Sequence, residues 1–234
     1  ELQKSNIVKA IDLLERIVSE KPSYHEAKAN LALAYKSIGK IERSLTVYRK
    51  LKFSGSWSQK AQFNYATMLL TNRNFKQGWK YYEYRWKITP QNKVIWPIQN
   101  KPVWAGEKGR RVVLWREQGI GDEIICLSLI PEVKQMCATL SVYVDPRLQA
   151  LCKRAMPDIN FVKDIEELQN VECEYHLPLG SVPGLIRNDI SDFDRTVTGY
   201  FKADPQRVEA IRNELELEGK TVIGISWKSF NTRY

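Results

Sequence analysis

Six consecutive residues, Glu117-Gln118-Gly119-Ile120-Gly121-Asp122, combine two carboxylates, an amide and two glycines at the junction of an apolar run and a helical pattern. The preceding run, Val112–Trp115, has strand length and composition, and the residues that follow read as a helix over Asp122–Cys137. A turn of this kind sits beyond the carboxyl end of a strand, where open α/β sheets bind ligands. Gly119 and Gly121 suit tight turns and close ligand approach. The free N–H groups of the first helical turn and the positive end of its dipole favour an anion. Asp122 has two readings: it can cap the helix, or it can accept a proton from an attacking hydroxyl. The pattern is neither the G-x-G-x-x-G dinucleotide fingerprint nor a phosphate loop ending in Lys-Ser/Thr, so the residues leave both readings open.

The elements that must hold this turn alternate between strand and helix. Leu140–Val144, Ile159–Val162 and Tyr175–Leu177 read as strands, and Pro146–Met156 and Pro205–Leu217 as helices. Thr221–Trp227 reads as a last apolar strand. Such alternation predicts a parallel sheet with helices on its faces, a Rossmann-like α/β domain over 111–220. His176, near the carboxyl end of one strand, is a candidate to line the same cleft, and a satisfied loop histidine is the plainer alternative. Ser226 and Lys228 stand at the end of the last strand, where a phosphate group could be contacted.

Upstream the periodicity changes. Ala10, Ser44 and Gly78 recur at steps of 34 residues, as do Leu14, Tyr48 and Tyr82; Ala32 and Ala66 share that interval, and Pro22 and Pro90 are two steps apart. A 34-residue period is the signature of stacked helix-turn-helix units. His25–Ser56 is a full unit, with Leu31, Ala32, Tyr35, Gly39, Ser44, Tyr48 and Leu51 at the motif positions of the tetratricopeptide repeat family, which it resembles. In Gln59–Pro90 the turn glycine is replaced by Arg73-Asn74, and of the first unit only the second helix, about Ile7–Ser19, is expected. Residues 1–90 therefore read as repeats that begin mid-unit, and 91–110, with Trp96 and Trp104 among Pro and Gly, as a pinned linker. The aromatic stretch Trp79, Tyr82 and Trp86 has the spacing of one helical stripe facing the next domain.

Composition narrows the classes. The 36 Lys+Arg and 27 Asp+Glu give +9, divided as +13 over 1–110 and −4 over 111–234. A basic repeat half is suited to a protein or anionic partner. Basic charge and aromatics are the only features favouring nucleic acid. Four separated cysteines and two histidines offer no metal-ligand spacing and no disulfide framework, so buried free thiols in the cytoplasm are expected. No apolar run is long enough to span a bilayer. Peripheral attachment at the inner membrane is compatible with that.

Further stretches carry a second resemblance. Pro102-Val103-Trp104-Ala105-Gly106, then Arg111–Glu123 onward to Pro131, then Tyr175–Pro183, Tyr200–Ala203 and Ile223–Trp227 look, in that order, like the bacterial tetratricopeptide-repeat proteins that carry a glycosyltransferase-like domain. The segment Gly78-Trp79, Tyr82-Glu83 and Arg85-Trp86 also matches. These proteins are similar to the heptosyltransferases of glycosyltransferase family 9, which have two Rossmann domains in the GT-B arrangement. The resemblance implies sugar transfer from a nucleotide-sugar donor to a glycan, lipid or protein acceptor, without metal or cofactor. It makes Asp122 the catalytic base; the rest of the loop departs from the family, with Glu117-Gln118-Gly119 where heptosyltransferases usually have small residues, and Glu117, Gln118, Gly119, Gly121 and His176 are candidate substrate contacts by their position. It also makes 221–234 the first strand of a second, donor-binding domain expected to lie outside this sequence, and this chain alone inactive. The alternative from a different class is a non-catalytic repeat scaffold for a protein or anionic partner.

Overall fold

A computed structural model describes residues 2–55, 57–88, 96–98, 100–193, 199–215, 219, 221 and 223–225. Helices α1 (Leu2–Glu20), α2 (His25–Ser37), α3 (Ile41–Phe53), α4 (Gln59–Thr71), α5 (Phe75–Tyr82) and α6 (Arg85–Ile88) precede the sheet. They stack as the period of 34 requires. Ala32 and Ala66 are fully buried, and the Ser44 hydroxyl, also fully buried, donates to the Ala32 carbonyl at 2.8 Å. Gly78, the next residue in the Ser44 column, packs so closely on α4 that a β-carbon there would lie 2.6 Å from Leu70 Cδ2. The small side chains thus let paired helices approach. Tyr48, Leu51, Tyr65, Met68 and Leu69 form the core between α3 and α4.

The two inter-helix turns share one geometry. Gly39, at φ +75°, donates to the Lys36 carbonyl while Lys40 donates to that of Tyr35. Thirty-four residues on, Arg73 takes φ +60° with bonds to Leu70 and from Asn74 to Leu69. A side chain in the left-handed region costs roughly 1–2 kcal/mol, and glycine's extra unfolded-state freedom returns about 0.5–1 of that. Arg73→Gly is therefore expected to raise stability by up to about 1 kcal/mol, read as a higher urea midpoint with unchanged slope. A lower midpoint would show that the arginine side chain compensates for the strain.

The α/β half comprises β1 (Arg110–Trp115), α7 (Ile120–Leu127), α8 (Ile130–Met136), β2 (Cys137–Tyr143), α9 (Pro146–Ala155), β3 (Asn160–Val162), α10 (Ile165–Asn170), β4 (Tyr175–Pro178), α11 (Pro183–Ile186) and α12 (Pro205–Glu214), with short 3-10 turns at Leu179–Ser181 and Ile190–Phe193. All strand pairs are parallel, in the order β3-β2-β1-β4. This is a Rossmann-like sheet, and β1 is apolar on both faces because both are covered. Val112 and Leu114 face a core built with α7, α8 and α9, whereas Val113 and Trp115 face Ile98, Val162, Leu168 and Cys173. The helix expected over Asp122–Cys137 is two helices. Pro131 falls within the first turn of α8, so α7 stops at Leu127 and the chain re-enters helix after Leu129.

Of the segment expected as a pinned linker, residues 102–104 pack on β4. Val103 bridges His176 in parallel, Trp104 N–H donates to the His176 carbonyl at 2.9 Å, and His176 N–H donates to Pro102. Trp104 is 1% exposed within the main core. Its loss as Trp104→Ala is expected to cost about 3–5 kcal/mol, measured by chemical denaturation. A cost below about 1 kcal/mol would return the segment to linker status. The strand expected at Thr221–Trp227 is not formed at the described positions Thr221 and Ile223–Ile225; Ile223 and Ile225 are exposed, and Ser226 and Lys228 lie outside the described residues.

Candidate active site at the mouth of the sheet

The strand order reverses between β1 and β4, and their carboxyl ends form the crevice where such sheets take ligands. The crevice is lined by Glu117-Gln118-Gly119 after β1 and by Leu179-Gly180-Ser181 after β4. A side chain from the helical half fills it. Arg85 of α6 reaches Glu117 through two bonds, Nε to Oε2 at 2.9 Å and Nη2 to Oε1 at 2.8 Å. It also donates to Ser181 Oγ at 2.6 Å and to Glu83 at 2.7 Å. The two charged side chains are 6% and 5% exposed. Burial opposes the arginine's charge, but the Glu117 bonds and the Glu117 and Glu83 charges outweigh it and raise its pKa. The guanidinium is also stacked between aromatic rings, 4.8 Å from the Tyr82 centroid and 4.5 Å from that of Trp86.

Glu117 is therefore not free to hold a substrate. Its Oε1 accepts from the Gly180 N–H at 2.9 Å, and a β-carbon on Gly180 would lie 2.4 Å from that oxygen. Any larger residue there would have to displace the Glu117 carboxylate from the Gly180 N–H and Arg85. Gln118 is likewise engaged: its Nε2 donates to the Tyr82 hydroxyl at 2.8 Å. Burial pushes the Tyr82 hydroxyl pKa up. The stripe expected from spacing faces the sheet as predicted. Trp79 Nε1 donates to the Arg187 carbonyl at 2.7 Å, and Trp86 meets Trp96 and Trp115.

Asp122 does not cap α7. Gly119 occupies the N-cap with no side-chain cap bond, and Asp122 stands in the first turn, exposed. Among the described residues it has no hydrogen bond or ion pair. Neither glycine of the loop needs its conformational freedom: Gly119 has φ −72°, and Gly121 lies within the helix. What they supply is room, since a β-carbon on Gly121 would touch nothing within 4 Å and one on Gly119 only Asp122 Oδ2 at 3.5 Å. The exposed surface is thus Gly119, Gly121 and the Asp122 carboxylate at the start of α7.

The neighbouring carboxylate, Glu123, is 2% exposed and structural. It accepts from Arg116 Nε at 2.9 Å and from the Asp145 N–H at 2.7 Å, tying the ends of β1 and β2. Burial raises its pKa, against the pull of the Asp145 N–H and Arg116. Asp145 caps α9, and the Arg147 hydrogen bonds hold its carboxyl well below the usual carboxylate range.

His176 does not line the cleft. It is 2% exposed in the middle of β4, with Nδ1 accepting from Trp115 Nε1 at 3.0 Å and Trp96 packed edge-on at 5.5 Å. Desolvation lowers its pKa. Strand alternation turns His176 away from the main core and toward the tryptophans, and a count along β4 in register with β1 could have shown that. Arg85, Ser181 and Gly180 are the residues that spacing did not single out as a unit. Their partnership joins positions 32 and 96 residues apart. Burial pushes the thiols of Cys126 to about 12 and of Cys137 and Cys152 to about 11, which disfavours the thiolate. No helix among the described residues is long and apolar enough to cross a membrane.

No family model matches the sequence. The chain is 26% identical over 230 residues to protein FlbA of Caulobacter vibrioides, across 89% of this chain and 38% of FlbA. Among solved structures, a point mutant of the Thermobaculum terrenum O-GlcNAc transferase aligns with 69% of this chain at 12% identity and a TM-score of 0.34. That alignment takes in 38% of the transferase chain, so this chain spans well under half of either protein.

Proposed function

We propose that this chain is the repeat-bearing, acceptor-side portion of a sugar-transferring protein in which Asp122 is the base. The acceptor hydroxyl gives its proton to the Asp122 carboxylate as its oxygen attacks the anomeric carbon. The bond from that carbon to the donor's diphosphate breaks, and the nucleoside diphosphate leaves. The donor would be held by sequence outside residues 1–234, and no metal or cofactor is assigned a step. The observation that carries the reading is the carboxylate itself: exposed at the start of α7 beyond β1 and, among the described residues, unpaired and with no side chain over Gly121. The order of sequence stretches resembling glycosyltransferase-like repeat proteins supports it. The test is nucleoside diphosphate release from a panel of sugar nucleotides by a longer protein that joins this chain to a donor-binding domain, against its Asp122→Asn variant. Equal release rejects the base.

A specific observation favours a second reading, a non-catalytic scaffold. The switch-point crevice is occupied by Arg85, and the carboxylate nearest it, Glu117, is consumed by that pairing. Failure of the longer protein to release nucleoside diphosphate from any of the sugar nucleotides would support it.

A further inference from the structure

The repeats bury equivalent faces in two different ways. In the second unit, Tyr65 and Leu69 of α4 face Tyr81 of α5, with Tyr65 and Tyr81 rings 5.3 Å apart and Trp57 joining them at 5.5 Å from each. Thirty-four residues earlier, the matching positions are Leu31 and Tyr35 of α2 and Val47 of α3. There Leu31 and Tyr35 are buried against Ile11 of α1, and beside them runs a groove of about 390 Å³ that the half-buried Val18 and Val47 also line. Around this apolar floor stand Lys28, Arg43 and Lys50, where the second unit has Gln62, Gln77 and Tyr84. The fold therefore does not require cations at these places.

Lys28 and Lys50 have no ion pair among the described residues, and Arg43 lies 5.8 Å from the ring centroid of Tyr35, whose hydroxyl both Arg43 and Glu15 engage. The one acidic residue on the rim, Glu42, is engaged by Asn72 at 3.0 Å and Arg49 at 3.9 Å. The positions Lys28, Leu31, Tyr35 and Arg43, Val47, Lys50 run along facing helices, each stripe about 10 Å long over its seven-residue span. Tyr35 is buried and its hydroxyl is bonded to Glu15, so the groove offers no aromatic face for a base to stack on.

We infer that this groove binds a short acidic peptide segment, seating one large apolar side chain between Val18 and Val47, flanked by carboxylates that meet Lys28, Arg43 and Lys50. The inference gives the scaffold reading a surface and a partner chemistry, and it is independent of Asp122 and of sugar transfer. The test is fluorescence anisotropy of the whole chain with a labelled ten-residue probe of Asp and Glu around a single Phe. The double variant Lys28→Gln with Arg43→Gln, which installs the second unit's own residues, should weaken binding at least tenfold, and Lys50→Glu should do the same. Lys60→Glu, beside Trp57 on the other groove of the repeats, should change it less than twofold. Replacing the probe's Phe by Gly should also weaken it. Unchanged affinity in the groove variants, or loss only in Lys60→Glu, overturns the groove while leaving a scaffold elsewhere on the repeats. Tighter binding of a single-stranded oligonucleotide abolished by the same variants overturns the peptide, and no binding of the probe by the parent chain overturns the inference outright.

Discussion

On the proposed function, Asp122→Asn in a protein that joins this chain to a donor-binding domain is expected to lower sugar transfer by about 10²–10⁴-fold, the usual worth of a positioned general base, while leaving the melting temperature nearly unchanged. Both halves of this expectation come from the same geometry. The carboxylate is exposed and has no hydrogen-bond partner among the described residues, so the fold loses no contact when it becomes an amide. The amide cannot take a proton from an attacking alcohol. Its loss should appear in turnover and not in binding of the nucleotide sugar, since binding and proton transfer are separate demands. A variant with full transfer activity removes the catalytic role. A variant with a markedly lower melting temperature shows that Asp122 has a structural role instead.

Arg85→Ala is expected to be the most destabilising single change at the junction of the two halves, costing about 3–5 kcal/mol, because it strands Glu117 as an unpaired buried charge. The pair is 6% and 5% exposed, so water cannot replace the lost guanidinium without opening the junction. Ser181 and Glu83 lose a partner with it. Glu117→Gln should cost less, since an amide oxygen can still accept from the Gly180 N–H. The double variant Arg85→Met with Glu117→Leu should recover much of the loss, leaving mainly the unsatisfied Gly180 N–H. Denaturant unfolding of the parent, Arg85→Met, Glu117→Leu and their double variant gives the coupling energy of the pair. A coupling near zero, with Arg85→Ala no worse than about 1 kcal/mol, would mean that the junction is held by Trp79, Phe75 and Trp86 instead.

The local parts of this molecule were legible in the residues. A period of 34 defines α2 to α5 because small side chains must recur wherever paired helices touch, and Ala32, Ser44, Ala66 and Gly78 are where they touch. Short apolar runs define the strands because a parallel strand is buried on both faces, as β1 is. Asp122 at the start of the first α/β helix was legible for the same reason, since a strand-to-helix turn is a local event. Arg73 shows the limit of local rules: the repeat's geometry forces a left-handed turn that its side chain alone disfavours.

Which polar residues stay free was settled only when the chain folded. Glu117 and Asp122 belong to one short loop and differ little as side chains, yet one is sealed by an arginine 32 residues upstream and the other faces solvent. His176 and Trp104 were equally undetermined, because a segment read as linker adds an edge to β4 and buries both. Spacing along the chain sets period and propensity. Burial and pairing of charges depend on what arrives from a distance, and that information resides in the packing of the two halves against each other.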